Sequence, residues 1–254
     1  MISKTFRIAS IIALATFVFS SAAWATTCSN GSLSGTYGFL HDGTASNGAP
    51  ATAAVTQVTF DSATGTFAGE TIASHDGVIV TEPLTGTYAV ASNCTGTGKP
   101  TGGSPFSIAV TSTGFLALHL LSEGFAVKQG SATCTNAGVK GSFGFETTGA
   151  FLADVPATAV AFIGELKLTV NPSGEGVISG HIAASEDGTF LTFAQEPVTG
   201  SYKIGTDCRG TATITPKGLS EMHFSLVVVD SGKEMLAIET DADTIVSGTL
   251  TKGN

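Results

Sequence analysis

One segment occurs twice in the chain, as CSNGSLSGTYGF at residues 28–39 and as CTNAGVKGSFGF at residues 134–145. Two more pairs follow in the same order: EPLTGTY at 82–88 matches EPVTGSY at 196–202, and CTGT at 94–97 matches CRGT at 208–211. Ordered matches of this kind indicate an internal duplication. Their separation exceeds 100 residues, which predicts two homologous domains and not a solenoid. We therefore expect a first unit over residues 26–132 and a second over 133–254.

Each unit has the pattern of an all-β domain. Runs such as Ala54–Phe60 and Ala161–Val170 are short and rich in β-branched and aromatic residues, which strands prefer. Turn dipeptides such as Asp76-Gly77 and Asp187-Gly188 separate the runs and supply the positive φ of tight hairpins. The spacing predicts about eight strands per unit. We expect two tandem homologous antiparallel β-barrels, with a sandwich as the alternative.

Part of this pattern resembles a known group of proteins. The order Gly-Thr/Ser-Tyr, Cys-x-Gly-Thr, the hairpin at 227–235 and Val246-Ser-Gly248 resembles exported bacterial tandem-repeat proteins of unknown function. Their small barrels are similar to calycins and allene oxide cyclases, so the resemblance implies a calycin-like barrel in each unit. The first unit departs from the pattern at Asn93, where the second has Asp207. The shared motifs are turn and strand residues, so the resemblance carries over no catalytic residue.

The N-terminus has the pattern of a secretory signal. Lys4 and Arg7 precede an apolar run at residues 11–19, and Ala23-Trp24-Ala25 is a small-residue cleavage site. We expect residues 1–25 to be removed near Ala25, which places the mature protein in the periplasm or outside the cell. No later segment is long and apolar enough to predict a membrane span.

The cysteines support the same compartment. The chain has four, Cys28, Cys94, Cys134 and Cys208, and an even count in an exported chain predicts two disulfides. Metal ligation is the rival interpretation, but it needs closely spaced thiolates such as C-x-x-C. None of the four cysteines has another cysteine at such a spacing. If each unit carries its own bridge at equivalent places, the pairs are Cys28–Cys94 and Cys134–Cys208.

The polar residues give no catalytic or metal motif. None of the five histidines lies in a metal-binding spacing such as H-E-x-x-H. His75 occupies the position that Glu186 has in the second unit, so an activity common to both units cannot use it. A site confined to one unit is not excluded. Glu82 and Glu196 are equivalent, and we interpret them as exposed loop charges or backbone partners. We therefore predict no catalytic residue, no metal and no cofactor.

Charge and composition reduce the number of candidate functions. A net charge of −9 argues against nucleic acid as a partner. Small closed barrels can hold one ligand, so we expect a non-catalytic protein that binds a small apolar molecule in a barrel mouth. The alternatives are a structural or adhesive surface module with filled barrels, and a cyclase-like isomerase acting on an apolar substrate. The predicted inward-facing candidates are Phe106, Ile108, Leu116 and Leu118 in the first unit, and Phe224, Leu226, Met235 and Ile238 in the second.

Overall fold

The computed structural model describes residues 27–43, 52–119, 122–131, 134–154, 157–190, 196–218 and 220–253. The predicted signal peptide at 1–25, with its cleavage site at Ala25, lies outside these residues. The expected boundary between the units, at residues 132 and 133, lies outside them as well. Within the described residues every long element is a strand, and two short 3₁₀ turns cover Asn30–Leu33 and Asp230–Gly232.

The first barrel consists of eight antiparallel strands in chain order. They are β1 (Gly35–Gly43), β2 (Thr52–Asp61), β3 (Thr66–His75), β4 (Val78–Val90), β5 (Thr95–Pro100), β6 (Phe106–Val110), β7 (Gly114–His119) and β8 (Ser122–Lys128). Each strand pairs with the next, and β8 pairs back with β1, where Phe39 lies opposite Ala126. Closure of the sheet removes the free edges that would otherwise pair with other chains.

The second barrel repeats this arrangement. Its strands are β9 (Gly141–Phe151), β10 (Thr158–Val170), β11 (Gly176–Glu186), β13 (Glu196–Ile204), β14 (Arg209–Pro216), β15 (Met222–Val229), β16 (Glu234–Glu239) and β17 (Thr244–Lys252). The short strand β12 (Thr189–Phe190) pairs only with β11, and β17 closes the barrel on β9. The predicted all-β fold with two antiparallel eight-stranded barrels is confirmed, and the sandwich alternative is excluded.

The Asp-Gly dipeptides form the tight turns that the sequence predicted. Asp76 and Gly77 have φ values of 48° and 80°, and Asp187 and Gly188 have values of 46° and 77°. Positive φ at both central residues is the requirement of a type I′ hairpin, whose twist matches that of the paired strands. The Asp76-Gly77 turn fixes the β3–β4 register, in which His75 lies opposite Val78.

The segment before the first strand closes one end of each barrel. Asn30 Oδ1 accepts a hydrogen bond from the Val90 amide at 2.8 Å, and its carbonyl accepts one from the Tyr88 hydroxyl at 3.1 Å. Leu33 in the same segment is fully buried. Asn136 makes the equivalent two bonds in the second barrel, at 2.7 and 2.9 Å. We call this the closed end of each barrel.

A disulfide holds each closing segment in place. The structure joins Cys28 to Cys94 and Cys134 to Cys208, with Cα atoms 5.0 and 4.8 Å apart. This is the pairing that the repeat predicts. Each bridge ties the segment before the first strand to the turn that precedes β5 or β14.

The two barrels pack side by side through a shared apolar cluster. Strands β1 to β3 of the first barrel contact β15 to β17 of the second. The buried members of the cluster are Leu40, Ala53, Val55, Val227, Val229, Leu236, Ile238 and Ile245. At its edge Arg209 forms an ion pair with Glu70, and the Ser74 hydroxyl donates to the Thr244 carbonyl. The contacting strands are therefore buried on both faces, inside their own barrel and against the other barrel.

Candidate functional site

The first barrel contains a cavity of about 510 Å³. It extends from the aromatic residues at the barrel centre, Phe60 and Phe115, to an open end at His75 and Glu82. This open end lies opposite the end that Leu33 and the Cys28–Cys94 bridge close. The volume falls within the range of roughly 300–1,000 Å³ that is typical of small-molecule sites.

The second barrel shows why the first is hollow. Strand registers align the two units: Ala54 lies opposite His41, and Phe162 lies opposite Thr147, so Ala54 and Phe162 are equivalent. By the same registers Thr71 corresponds to Ile182. Phe162 and Ile182 are buried in the core of the second barrel. Smaller side chains at these positions leave the corresponding space in the first barrel empty.

The inner end of the cavity is aromatic. The Phe60 ring makes edge contacts with Tyr88 at 4.9 Å and with Phe115 at 5.4 Å between ring centroids. Phe39 stacks on Phe115 at 6.1 Å with an angle of 9° between the rings. Phe67 completes the group at 5.6 Å from Phe60. These contacts hold the rings in fixed positions, so the inner end presents a rigid apolar surface.

One wall of the cavity carries hydroxyl and imidazole groups. Thr52 and Thr56 on β2 and Thr71 and His75 on β3 line it. Thr56 Oγ1 lies 2.8 Å from Thr71 Oγ1, and Thr52 Oγ1 lies 3.2 Å from His75 Nδ1. We call these four residues the hydroxyl wall. Phe106 and Phe115 line the cavity from β6 and β7, on the opposite side of the barrel.

The open end carries the groups that the sequence did not assign to a site. His41, His75 and Glu82 all line the cavity there, whereas the residue pattern suggested an exposed loop charge or a backbone partner for Glu82. His75 and Glu82 are largely exposed, so solvent reaches them directly. The strand registers confirm that Glu186 is the counterpart of His75. They also show that the counterpart of His41 is Thr147.

Five of the predicted inward-facing residues lie inside a barrel. Ile108 belongs to the core of the first barrel and Phe106 packs against it. Phe224, Leu226 and Met235 belong to the core of the second barrel. Of these five, only Phe106 lines the cavity.

Two of the predicted inward-facing residues lie elsewhere. Leu116 is 54% exposed, because Phe115 and Ala117 occupy the inward positions of β7. Ile238 is buried between the barrels, because Met235 and Ala237 occupy the inward positions of β16. For both residues the prediction was wrong, because the other face of the strand points into the barrel. The side chain of Leu118 lies outside the described part of the structure.

The second barrel is filled, and its interior holds the buried acid Glu239. Glu239 is 3% exposed and lies opposite Phe224 on the neighbouring strand. Burial, and then the negative charge of Asp241, raise the pKa of Glu239 to about 8. His223 Nδ1 lies 2.7 Å from Asp241 Oδ1, and this hydrogen bond raises the pKa of His223. Glu239 therefore favours its neutral form at pH 7 and lies beside Asp241 and His223.

A second depression lies on the outer surface of the second barrel. It has a volume of about 550 Å³ and is lined by Glu146, Ile163 and His181, among others. These three side chains are exposed, so the depression is a surface groove and not an enclosed space. The cavity of the first barrel, with its buried rings, is the better candidate for a binding site.

The described residues offer neither a metal centre nor a membrane helix. Among them, no group of three or more His, Cys, Asp or Glu side chains could hold a metal ion. In the same part of the chain, no helix is long and apolar enough to cross a membrane.

Comparison with known proteins gives little further information. No protein-family model matches the chain, and no curated protein matches it. Among solved structures, the chain is similar to a protein of unknown function of the DUF3598 family from Nostoc punctiforme PCC 73102. The identity is 9%, the likeness covers 87% of this chain and 97% of that chain, and the TM-score is 0.26. At this identity and TM-score the likeness does not indicate a shared function.

Proposed function

We propose that the protein binds one small, largely apolar, uncharged molecule inside the first barrel. The observation that carries this proposal is the difference between two barrels of one chain. The same fold is filled by Phe162 and Ile182 in one barrel and is open at Ala54 and Thr71 in the other. A purely structural role would be served by two filled barrels. The second barrel then acts as a rigid support against which the hollow barrel packs.

Charge supports an uncharged ligand. The lining of the cavity contains no Lys or Arg among the described residues, and Glu82 lies at the open end. The net charge of −9 adds a repulsive field for anions. Phosphates and nucleic acids are therefore poor candidates. The apolar rings favour ligands that leave water by the hydrophobic effect.

We further propose that the protein works in the periplasm or outside the cell, as two barrel domains divided near residue 132. The two disulfides support an oxidising compartment. The predicted signal at residues 1–25 supports the same location. The interface between the barrels supports their action as a single body.

A cyclase-like isomerase remains the second candidate. The observation that favours it is the presence of His41, His75 and Glu82 at the mouth of an apolar cavity. Acid–base catalysis needs such a group within hydrogen-bond reach of the reacting atom. Mass spectrometry of a bound molecule, recovered after incubation, separates the two: binding returns it unchanged, and catalysis returns an isomer with altered chromatographic retention.

Titration with the neutral fluorescent probe N-phenyl-1-naphthylamine tests the binding proposal. The chain is expressed with export so that both disulfides form. We expect saturable binding that Ala54→Phe weakens at least about tenfold, because the added ring takes the place that Phe162 occupies in the filled barrel. Ala68→Phe is the matched control, since Ala68 is exposed on β3 of the same barrel. Absence of saturable binding, or equal binding by both variants, would contradict the proposal.

A further inference from the structure

We infer that the bound molecule is a ring compound with a hydroxyl or carbonyl group on one edge, and that Thr56 and Thr71 select this group. The inference rests on the proposed function and specifies the ligand of the same site. It comes from the positions of the threonine hydroxyls that line the cavity. These hydroxyls lie on β2 and β3, whereas β6 and β7 contribute Phe106, Phe115 and Ala117.

The filled barrel shows that hydroxyls are not required here by the fold. The positions that correspond to Thr52 and Thr71 are occupied by Val160 and Ile182, both of which are buried. A hydroxyl in an apolar interior is unfavourable unless it is hydrogen-bonded. The first barrel therefore carries hydroxyls at two positions where the second barrel carries apolar side chains.

The Thr56–Thr71 pair retains hydrogen-bonding capacity. Thr56 is 4% exposed, and its oxygen lies 2.8 Å from that of Thr71. Each hydroxyl has one proton and two acceptor lone pairs. One proton is used within the pair, so the accepting hydroxyl still has its own O–H, and unused lone pairs remain on both oxygens. A ligand hydroxyl can both donate and accept here, and a ligand carbonyl can accept.

The opposite side of the cavity favours rings over flexible chains. Phe115 stacks with Phe39 and makes an edge contact with Phe60, so its ring is fixed. Rigid aromatic surfaces pack well against flat ring systems in stacked or edge-on arrangements. A ring compound between this surface and the hydroxyl wall would place its edge substituent against Thr56 and Thr71.

A matched ligand pair tests the inference. The exported chain with both disulfides is titrated with 1-hydroxypyrene and with 1-methylpyrene, at mildly acidic pH where the hydroxyl is uncharged. The two fluorescent compounds differ by a hydroxyl and a methyl group of similar size. We expect the wild type to prefer the hydroxyl compound about five- to tenfold, the range of one net hydrogen bond. Thr56→Val and Thr71→Val should each reduce that ratio toward one while 1-methylpyrene still binds.

Thr59→Val is the control variant. Thr59 forms a similar cross-strand pair with Thr36 at 2.9 Å, but on the exposed face of the same barrel, so it should leave the ratio unchanged. Equal binding of the two compounds by the wild type would overturn the inference and leave the proposed function standing. A preference that survives both cavity substitutions would do the same. Failure of both compounds to bind the wild type would overturn the proposed function as well. If one of the two cavity variants does not fold, the other still tests the role of the threonine pair.

Discussion

Replacement of Glu239 by glutamine should remove a large pH dependence of stability. Glu239 is 3% exposed inside the second barrel, and burial together with Asp241 raises its pKa from 4.5 to about 8. Below pH 4.5 the carboxyl is protonated in both the folded and the unfolded chain. Between pH 4.5 and 8 the folded chain binds the proton more strongly, so the free energy of unfolding falls as the pH rises.

The expected size follows from linkage. A difference of one unit between the folded and unfolded pKa corresponds to about 1.36 kcal/mol. The free energy of unfolding should therefore fall by roughly 3–5 kcal/mol between pH 4.5 and 8. His223 contributes in the same direction, because its hydrogen bond with Asp241 raises its pKa. The stabilisation from His223 is complete below pH 6.5 and is lost as the pH rises through its folded-state pKa. Comparison of the wild type with Glu239→Gln isolates the share of Glu239.

The assay is urea unfolding followed by far-ultraviolet circular dichroism, from pH 5 to pH 9. Glu239→Gln and the wild type should have similar stability near pH 5. The variant should become more stable than the wild type by a margin that grows toward pH 8. Glu146→Gln is the control, since Glu146 is exposed on β9 of the same barrel, and it should follow the wild type. Parallel curves for the wild type and Glu239→Gln would refute this account of the buried acid.

Three further predictions concern the second barrel's core, the interface between the barrels and the first disulfide. Phe162→Ala should cost about 3–5 kcal/mol and open a second probe site in the second barrel, detected as an increase in binding stoichiometry. Gly38→Ala should cost about 1–3 kcal/mol in urea unfolding, because a Cβ there would lie 2.5 Å from Val229 Cγ1 across the interface; Gly144→Ala, with its nearest atom at 3.8 Å, is the control. The double variant Cys28→Ser with Cys94→Ser should lose about 4 kcal/mol in the chain-entropy model, measured against the oxidised wild type, and an unchanged unfolding midpoint would contradict the structural role of the bridge.

The sequence predicted the fold because its signals are local and repeated. The Asp76-Gly77 and Asp187-Gly188 turns have the positive φ that their composition indicates. The duplicated segments also placed Cys28 and Cys134 at equivalent positions, so the pairing followed from the repeat. Hairpin turns and disulfides depend on a few residues each, and one sequence is enough to recognise them.

The sequence did not predict the phase of β7 and β16. Phe115, Leu116 and Ala117 follow one another in β7, and Met235, Leu236 and Ala237 do so in β16. In β16 the cause is the interface, which buries Leu236 as well as the inward residues. A strand that is apolar on both faces has lost the alternation from which phase is inferred.

The residue pattern did not predict the cavity either. It arises because Ala54 and Thr71 are smaller than Phe162 and Ile182, and this difference matters only once the strands are aligned by register. The duplicated motifs lie in other strands and in turns, so they do not align β2 with β10. A candidate site that depends on missing volume is therefore visible in the structure and not in the motifs.

The most direct test of the account is the position of a heavy-atom ligand in crystals of the exported protein. Crystals soaked with 1-bromopyrene would be measured at the bromine absorption edge, and the anomalous difference map would locate the bromine. The account predicts one peak per chain inside the first barrel, near Ala54 and Phe106, and none inside the second. A peak only in the outer groove beside Ile163, or equal peaks in both barrels, would contradict the claim that the hollow first barrel is the binding site.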